Sequence, residues 1–242
     1  MKQYLLFDLD GTLTDPKVGI TTSVQYALSS LGIEVENPDD LCCFIGPPLT
    51  VSFAEYYGLN PEQVQAAILK YRERFSVTGL YENEIYPGIG EMLAALQTAG
   101  KTLLVATSKP QKFAELILEH FRIRQYFTFV GGSGLDGSRD TKAEVIAYVL
   151  AQCGIADVNQ AVMIGDRKHD VLGAKEHGME TVGVLFGYGD RAELEQAGAE
   201  WIAADVGELQ TLLLGDLGVK CQEKTDNFLE KDFRGRGRAE RE

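Results

Sequence analysis

The sequence predicts a doubly wound α/β fold, a parallel sheet covered on both faces, with an all-helical insert. Three observations carry that prediction. Short apolar, β-branched or aromatic runs recur along the 242 residues, each followed by a turn and a helical pattern. One long stretch, from about Lys17 to Leu80, holds helical patterns alone. Polar residues of a few chemical types stand at the ends of four of the apolar runs.

The strand-like runs, in order, are YLLFDLD, KTLLVATS, YFTFVGGS, AVMIGD, ETVGVLF and the weaker EWIAA. They are nearly continuous in apolar character, as expected for strands buried on both faces. Between them lie GIGEMLAALQTAG, QKFAELILEHF, TKAEVIAYVLAQCG, HDVLGAKEHG and RAELEQAG. Their apolar residues fall at i, i+3 and i+4, with Gly at several ends, which is the pattern of amphipathic helices. Alternation of this kind gives a parallel sheet.

The insert reads GITTSVQYALSSLG, PDDLCCFIG, PLTVSFAEYYG and PEQVQAAILKYRERFSV. It leaves the core through TDP and returns through YENEIYPG. The expected division is an α/β core over residues 1–16 and 82–214 and a helical cap over 17–81. The charged, largely aperiodic residues 215–242 are expected to be a disordered tail. Inserted after the first strand, the cap would sit over that strand's end.

Composition narrows the function classes. The formal net charge of −13 argues against nucleic-acid polymers and anionic membranes as partners. It leaves room for a small phosphorylated substrate, which needs only a local positive site. Four cysteines without C-x-x-C spacing and three histidines without neighbouring cysteines exclude a disulfide framework and a zinc site of the usual kind. No apolar stretch is long enough to span a membrane, and Asp8 and Asp10 interrupt any signal-peptide core. A reducing, cytoplasmic setting is expected, and a monomer is the preferred reading.

Open parallel sheets place their sites at the carboxyl ends of the strands. Asp8 and Asp10 end the first run; in extended chain, residues i and i+2 point the same way, so both carboxylates can face one pocket. Thr107 and Ser108 end the second, Lys142 follows the third at a helix start, and Gly165-Asp166 ends the fourth, with Asp170 four residues on. Hard oxygen donors without His or Cys suit Mg²⁺, which would relieve the repulsion among Asp8, Asp10 and Asp166. The backbone amides of the Gly11-Thr12 turn, the Thr107 hydroxyl and the Lys142 ammonium would form an anion cradle of phosphate size. Carboxylate, Mg²⁺ and phosphate cradle together point to phosphoryl transfer.

These motifs, D-x-D-G-T, an apolar run ending T-S, a helix-starting Lys and G-D-x-x-x-D, resemble the four motifs of the haloacid dehalogenase-like hydrolase superfamily. The likeness runs over roughly residues 4 to 214, implies a Rossmann-like core, and the helical insert resembles that superfamily's C1-type caps. FIGPPL and GVLFGYG add a likeness to its phosphoglycolate phosphatase and 5′-nucleotidase branch. The resemblance implies that Asp8 is the nucleophile and Asp10 the general acid and base. It implies metal binding by Asp8, the Asp10 carbonyl and Asp166. Phosphate would be held by Thr107 and the Ser108 backbone, and Lys142 would neutralise phosphate and orient Asp8. Asp170 would support the metal or Lys142 from behind.

Asp at position 10 favours hydrolysis of an acyl-phosphate by water, hence a phosphatase. The implied substrate is a nucleoside monophosphate, with 2-phosphoglycolate as the alternative. A catalytically idle binding or regulatory relative is the alternative of another class. The turn Gly46-Pro47-Pro48 is expected either to punctuate cap helices or to dip into the pocket, Tyr188 to stand in the core or at the mouth of the site, and Arg139 to be a loop residue able to touch substrate.

Overall fold

The computed structural model describes residues 2–215 and 217–218. Six strands form one parallel sheet: β1 (Tyr4–Phe7), β4 (Thr102–Pro110), β5 (Phe127–Ser133), β6 (Ala161–Gly165), β7 (Glu180–Val184) and β8 (Trp201–Ala203), in the order β5-β4-β1-β6-β7-β8. All six coincide with the predicted runs. β1 pairs with β4 from Tyr4↔Thr102 to Phe7↔Val105, and with β6 from Tyr4↔Ala161 to Phe7↔Ile164. The chain therefore turns outward in opposite directions on either side of β1, which is where such sheets open a crevice.

Alternation along the strands divides the core. Leu5, Phe7, Leu103, Val105, Val162 and Ile164 face one way, onto α4 (Ile89–Thr98), α5 (Gln111–His120) and α9 (Val206–Leu214). Leu6, Leu104, Ala106 and Met163 face the other, onto α6 (Lys142–Gln152) and α7 (Lys168–Lys175). The short α8 (Arg191–Ala197) closes a third cluster of Val171, Leu194, Ala199 and Ile202.

Between β2 (Thr14–Asp15) and β3 (Glu84–Ile85) every regular element is helical: α1 (Lys17–Ser29), a 3₁₀ stretch Pro38–Phe44, α2 (Leu49–Tyr57), α3 (Pro61–Arg74) and a π-helical turn Phe75–Gly79. β2 and β3 pair antiparallel as a two-stranded ribbon at the base of the cap, which the sequence reading does not anticipate. The ribbon's neighbours pack closely. A Cβ on Gly19 would lie 2.0 Å from the Gly79 carbonyl oxygen, and the Gly19 amide donates to Glu82 O at 2.9 Å. The expected tail lies outside the described residues, apart from positions 215, 217 and 218. There Leu217 is buried, and Trp201 Nε1 donates to Gly218 O.

Candidate active site

The site lies at the carboxyl end of β1, flanked by the ends of β4 and β6. Here the chain leaves β1 in a tight turn. The amides of Leu13 and Thr14 both donate to Leu9 O, and Gly11 takes φ +80°, which a side chain would strain. A Cβ on Gly11 would stand 2.2 Å from Asp166 Oδ2, so only glycine lets this turn approach the acidic centre. The two leading carboxylates meet different partners. Asp8 faces Asp166 and Asp170, all three buried, with one ligand oxygen of each within 4.8 Å of the others. Asp10 instead turns to Lys109, 2.8 Å away.

The turn also corrects the expected cradle. The Gly11 amide donates to Thr14 O at 2.8 Å and the Thr12 amide to Leu9 O at 3.2 Å. Both N–H groups are spent inside the turn, and the Thr12 hydroxyl lies 3.4 Å from Asp166 Oδ1. Gly11 and Thr12 thus shape the acidic centre and do not present these donors to an anion. Thr107 is buried at the end of β4, its Oγ1 accepting from the Lys109 amide, and its own O–H remains to donate. Ser108 lines the cavity described below.

Lys142 begins α6, where Thr141 and Glu144 form a reciprocal cap. Its ammonium reaches Asp8 Oδ1 at 2.9 Å, Asp170 Oδ1 at 2.7 Å and Ala106 O at 3.0 Å. Three partners saturate an ammonium, so in this geometry Lys142 orients Asp8 and holds Asp170. Burial alone would lower its pKa; the carboxylates of Asp170 and Asp8 more than reverse this, and it stays firmly charged.

The acids respond in the opposite sense. Burial pushes Asp166 well above the usual carboxylate range, with Asp170 and Asp8 adding to the rise. Burial likewise raises Asp170 and Asp10, each opposed by its lysine. Asp10 Oδ1 is buried without a hydrogen-bond partner among the described residues. Four buried carboxylates (Asp8, Asp10, Asp166, Asp170) thus meet two buried ammoniums (Lys109, Lys142). The surplus is two negative charges, which one divalent cation would balance. An all-oxygen donor set fits a hard ion of that charge.

A cavity of about 230 Å³ opens beside Asp10 and runs up between core and cap. Tyr71 and Phe75 of the cap, stacked at 5.0 Å and 16°, form part of its wall, with Lys109 against the Phe75 ring at 4.4 Å. Gly46, Pro47 and Pro48 border it, as the pocket reading of that turn expects. Tyr188 sits lower. Its amide donates to Asp166 Oδ2 at 2.8 Å and its hydroxyl to Asp15 beneath the cap. Arg139 does not reach the cavity: its guanidinium stacks on Tyr148 and donates to Gly132 O. Sequence reasoning missed Lys109 and the cap aromatics. The signal for Lys109 was its place directly after Thr107-Ser108.

Fold and site together define a capped α/β hydrolase built around an aspartate-rich strand end. The chain belongs to the haloacid dehalogenase-like hydrolase family, whose sequence profile matches residues 5–184. It is 47% identical over 209 residues to a 5′-nucleotidase of Pseudomonas aeruginosa, covering 86% of this chain and 94% of that one. It is 41% identical over 213 residues to the tyrosine-protein kinase PtkA of Mycobacterium tuberculosis, covering 87% and 72%. The crystal structure of a predicted phosphatase from Clostridium acetobutylicum superposes with a TM-score of 0.87 at 45% identity, covering 89% and 99%. The protein is a phosphatase of this family. Among the described residues, no helix is long and apolar enough to cross a membrane.

Proposed function

We propose that the protein is a Mg²⁺-dependent phosphomonoesterase acting on a small phosphorylated metabolite, a nucleoside 5′-monophosphate, through an aspartyl-phosphate on Asp8. The observation that carries this reading is the buried charge surplus around Asp8: four carboxylates against two ammoniums. In phosphoryl transfer, a Mg²⁺ ion held by Asp8, Asp166 and the Asp10 carbonyl would supply charge neutralisation at the phosphoryl oxygens. The chain's own residues do the rest. Lys142 fixes Asp8 Oδ1, leaving the other carboxylate oxygen to attack phosphorus. Asp10 borders the cavity, and burial raises its pKa, which suits delivery of a proton to the departing oxygen. After departure, the same carboxylate takes a proton from the water that opens the acyl-phosphate. The Thr107 hydroxyl and the Ser108 backbone would hold phosphoryl oxygens.

Cavity size favours the nucleotide. A volume of about 230 Å³ far exceeds the roughly 10–15 Å³ one water requires. Two-carbon glycolate would leave most of it unfilled, whereas a nucleoside would occupy it against the Tyr71–Phe75 wall. Aromatic walls of this kind suit planar leaving groups.

The test is phosphate release with Mg²⁺ from nucleoside 5′-monophosphates, 2-phosphoglycolate, hexose phosphates and p-nitrophenyl phosphate, with Asp8→Asn alongside. Preference for nucleotides, abolished by Asp8→Asn, is expected. Preference for 2-phosphoglycolate would replace the substrate. Silence on every compound from folded, metal-loaded protein would favour an idle binding relative.

A further inference from the structure

Arg167 follows Asp166 directly, yet its side chain leaves the acidic centre and crosses to the cap. Its Nη1 donates to Ile45 O at 2.8 Å, a bond between positions 122 residues apart. Its Nε is 3.0 Å from Glu193 Oε1 of α8, and that same oxygen accepts the Lys168 amide at 2.8 Å. The Arg167 amide donates to Asp170 Oδ2 at 3.1 Å. One residue therefore touches a carboxylate of the acidic centre through its backbone, and α8 and the cap turn through its fork. The guanidinium is largely buried, with 12% of the side chain exposed. The next cap residue, Gly46, has φ +101°, and a Cβ there would stand 3.0 Å from Arg167 Cγ. The turn is thus seated on the arginine stem as well as bonded to its head. Gly46, Pro47 and Pro48 then line the cavity.

We propose that Arg167 is a positioning residue that fastens the cap turn Ile45–Pro48 to the loop carrying Asp166, so that the wall of the leaving-group cavity is complete only while this bond is made. Elsewhere among the described residues Lys109 meets the Phe75 ring and Arg74 pairs with Glu82 where the cap rejoins the core; on the far rim Thr50 donates to Asp140 Oδ2 at 3.3 Å and Arg72 to Leu135 O at 3.1 Å. Both rim bonds are exposed and so weaker anchors. A planar fork is required at position 167, because one group must reach Glu193 and Ile45 in two directions at once. A lysine ammonium on a flexible stem does not hold both.

The kinetic part of the test rests on the proposed nucleotide substrate; the exchange part does not. Hydrogen–deuterium exchange is measured on peptides spanning residues 42–52 and, as reference, β1 and β6, in wild type, Arg167→Met, Arg167→Lys and Glu193→Gln. Exchange in 42–52 should rise about tenfold in both Arg167 variants, with the strands unchanged, as for a local opening that loses one charge-assisted bond. Kinetically, Arg167→Met should raise KM for a nucleoside monophosphate about tenfold. Its kcat with acetyl phosphate, which does not reach the cap turn, should move far less. Unchanged exchange in 42–52, equal acceleration everywhere, or wild-type behaviour of Arg167→Lys would each overturn the proposal. Should Arg167→Met fail to fold, Arg167→Lys still decides it. A wild-type protein inactive on all phosphates would remove the proposed function and leave the exchange result to judge the latch alone.

Discussion

Lys109 Nζ lies 2.8 Å from Asp10 Oδ2, with both side chains nearly closed to solvent. The same ammonium stands over the Phe75 ring of the cap. One lysine thus joins the carboxylate that would handle the proton to the wall of the leaving-group cavity. A buried pair of this kind gains little over two apolar residues, but removing one member strands the other.

Lys109→Met should therefore destabilise more than Asp10→Asn, because it leaves Asp10 buried without its cation in an already acidic centre. About 3 kcal/mol is expected for Lys109→Met. The double variant Lys109→Met/Asp10→Asn should recover part of that loss, giving a coupling on the order of 1–3 kcal/mol in urea unfolding. Additive effects would show that the two side chains do not depend on each other.

The acidic centre also predicts how stability follows pH. Asp166 and Asp170 are raised in the fold, Asp170 to about 6, chiefly by burial. A group raised on folding contributes stability that is fully present below its unfolded value, near 3.8, and lost as pH rises through the folded value. Lys142 is raised as well, but its contribution persists until pH passes the lysine range, so it does not alter the window. Metal-free protein should lose Tm as pH rises from about 4 through about 6, the range between the unfolded and folded values of Asp170. Added Mg²⁺ should restore roughly 5–10 °C at pH 8 and much less at pH 5. A Mg²⁺ effect equal at both pH values would argue that the ion binds elsewhere.

Gly11→Ala tests the geometry of that centre directly. The new Cβ would fall 2.2 Å from Asp166 Oδ2 on a backbone at φ +80°, so Asp166 must move. Mg²⁺ affinity by calorimetric titration should drop at least about tenfold, as for lost support of a ligand, while the sheet stays intact by circular dichroism. Unchanged affinity would remove Asp166 from the metal site.

The six sheet strands were legible because each is an apolar run bounded by turn residues, and burial on both faces imposes that composition. The positions of Asp8, Lys142, Asp166 and Asp170 followed from the rule that such sheets work at their carboxyl ends. The β2–β3 ribbon was not legible: two residues per strand, Thr14–Asp15 and Glu84–Ile85, carry no periodicity. Lys109 and Arg167 escaped for another reason. Each is an ordinary charged residue beside a recognised motif, and only three-dimensional packing shows that their heads are buried against Asp10 and Ile45.

The cavity wall gives the last prediction. Tyr71 is 5% exposed, stacks on Phe75 and lines the space beside Asp10. Burial, reinforced by Asp10, holds its hydroxyl well above the ordinary tyrosine range, so it presents a neutral ring at any working pH. Tyr71→Leu keeps an apolar, though smaller, side chain and removes the flat face. A planar base resting there would lose stacking of about 1 kcal/mol, raising KM for a nucleoside monophosphate five- to tenfold. A compact substrate such as 2-phosphoglycolate makes no such contact, and its KM should stay within about twofold. The ratio of the two KM changes is the quantity to measure, because general loosening of the cap would move both. Equal shifts would mean that the Tyr71–Phe75 wall supports the cap without reading the leaving group, and the nucleotide assignment would then lose its structural basis.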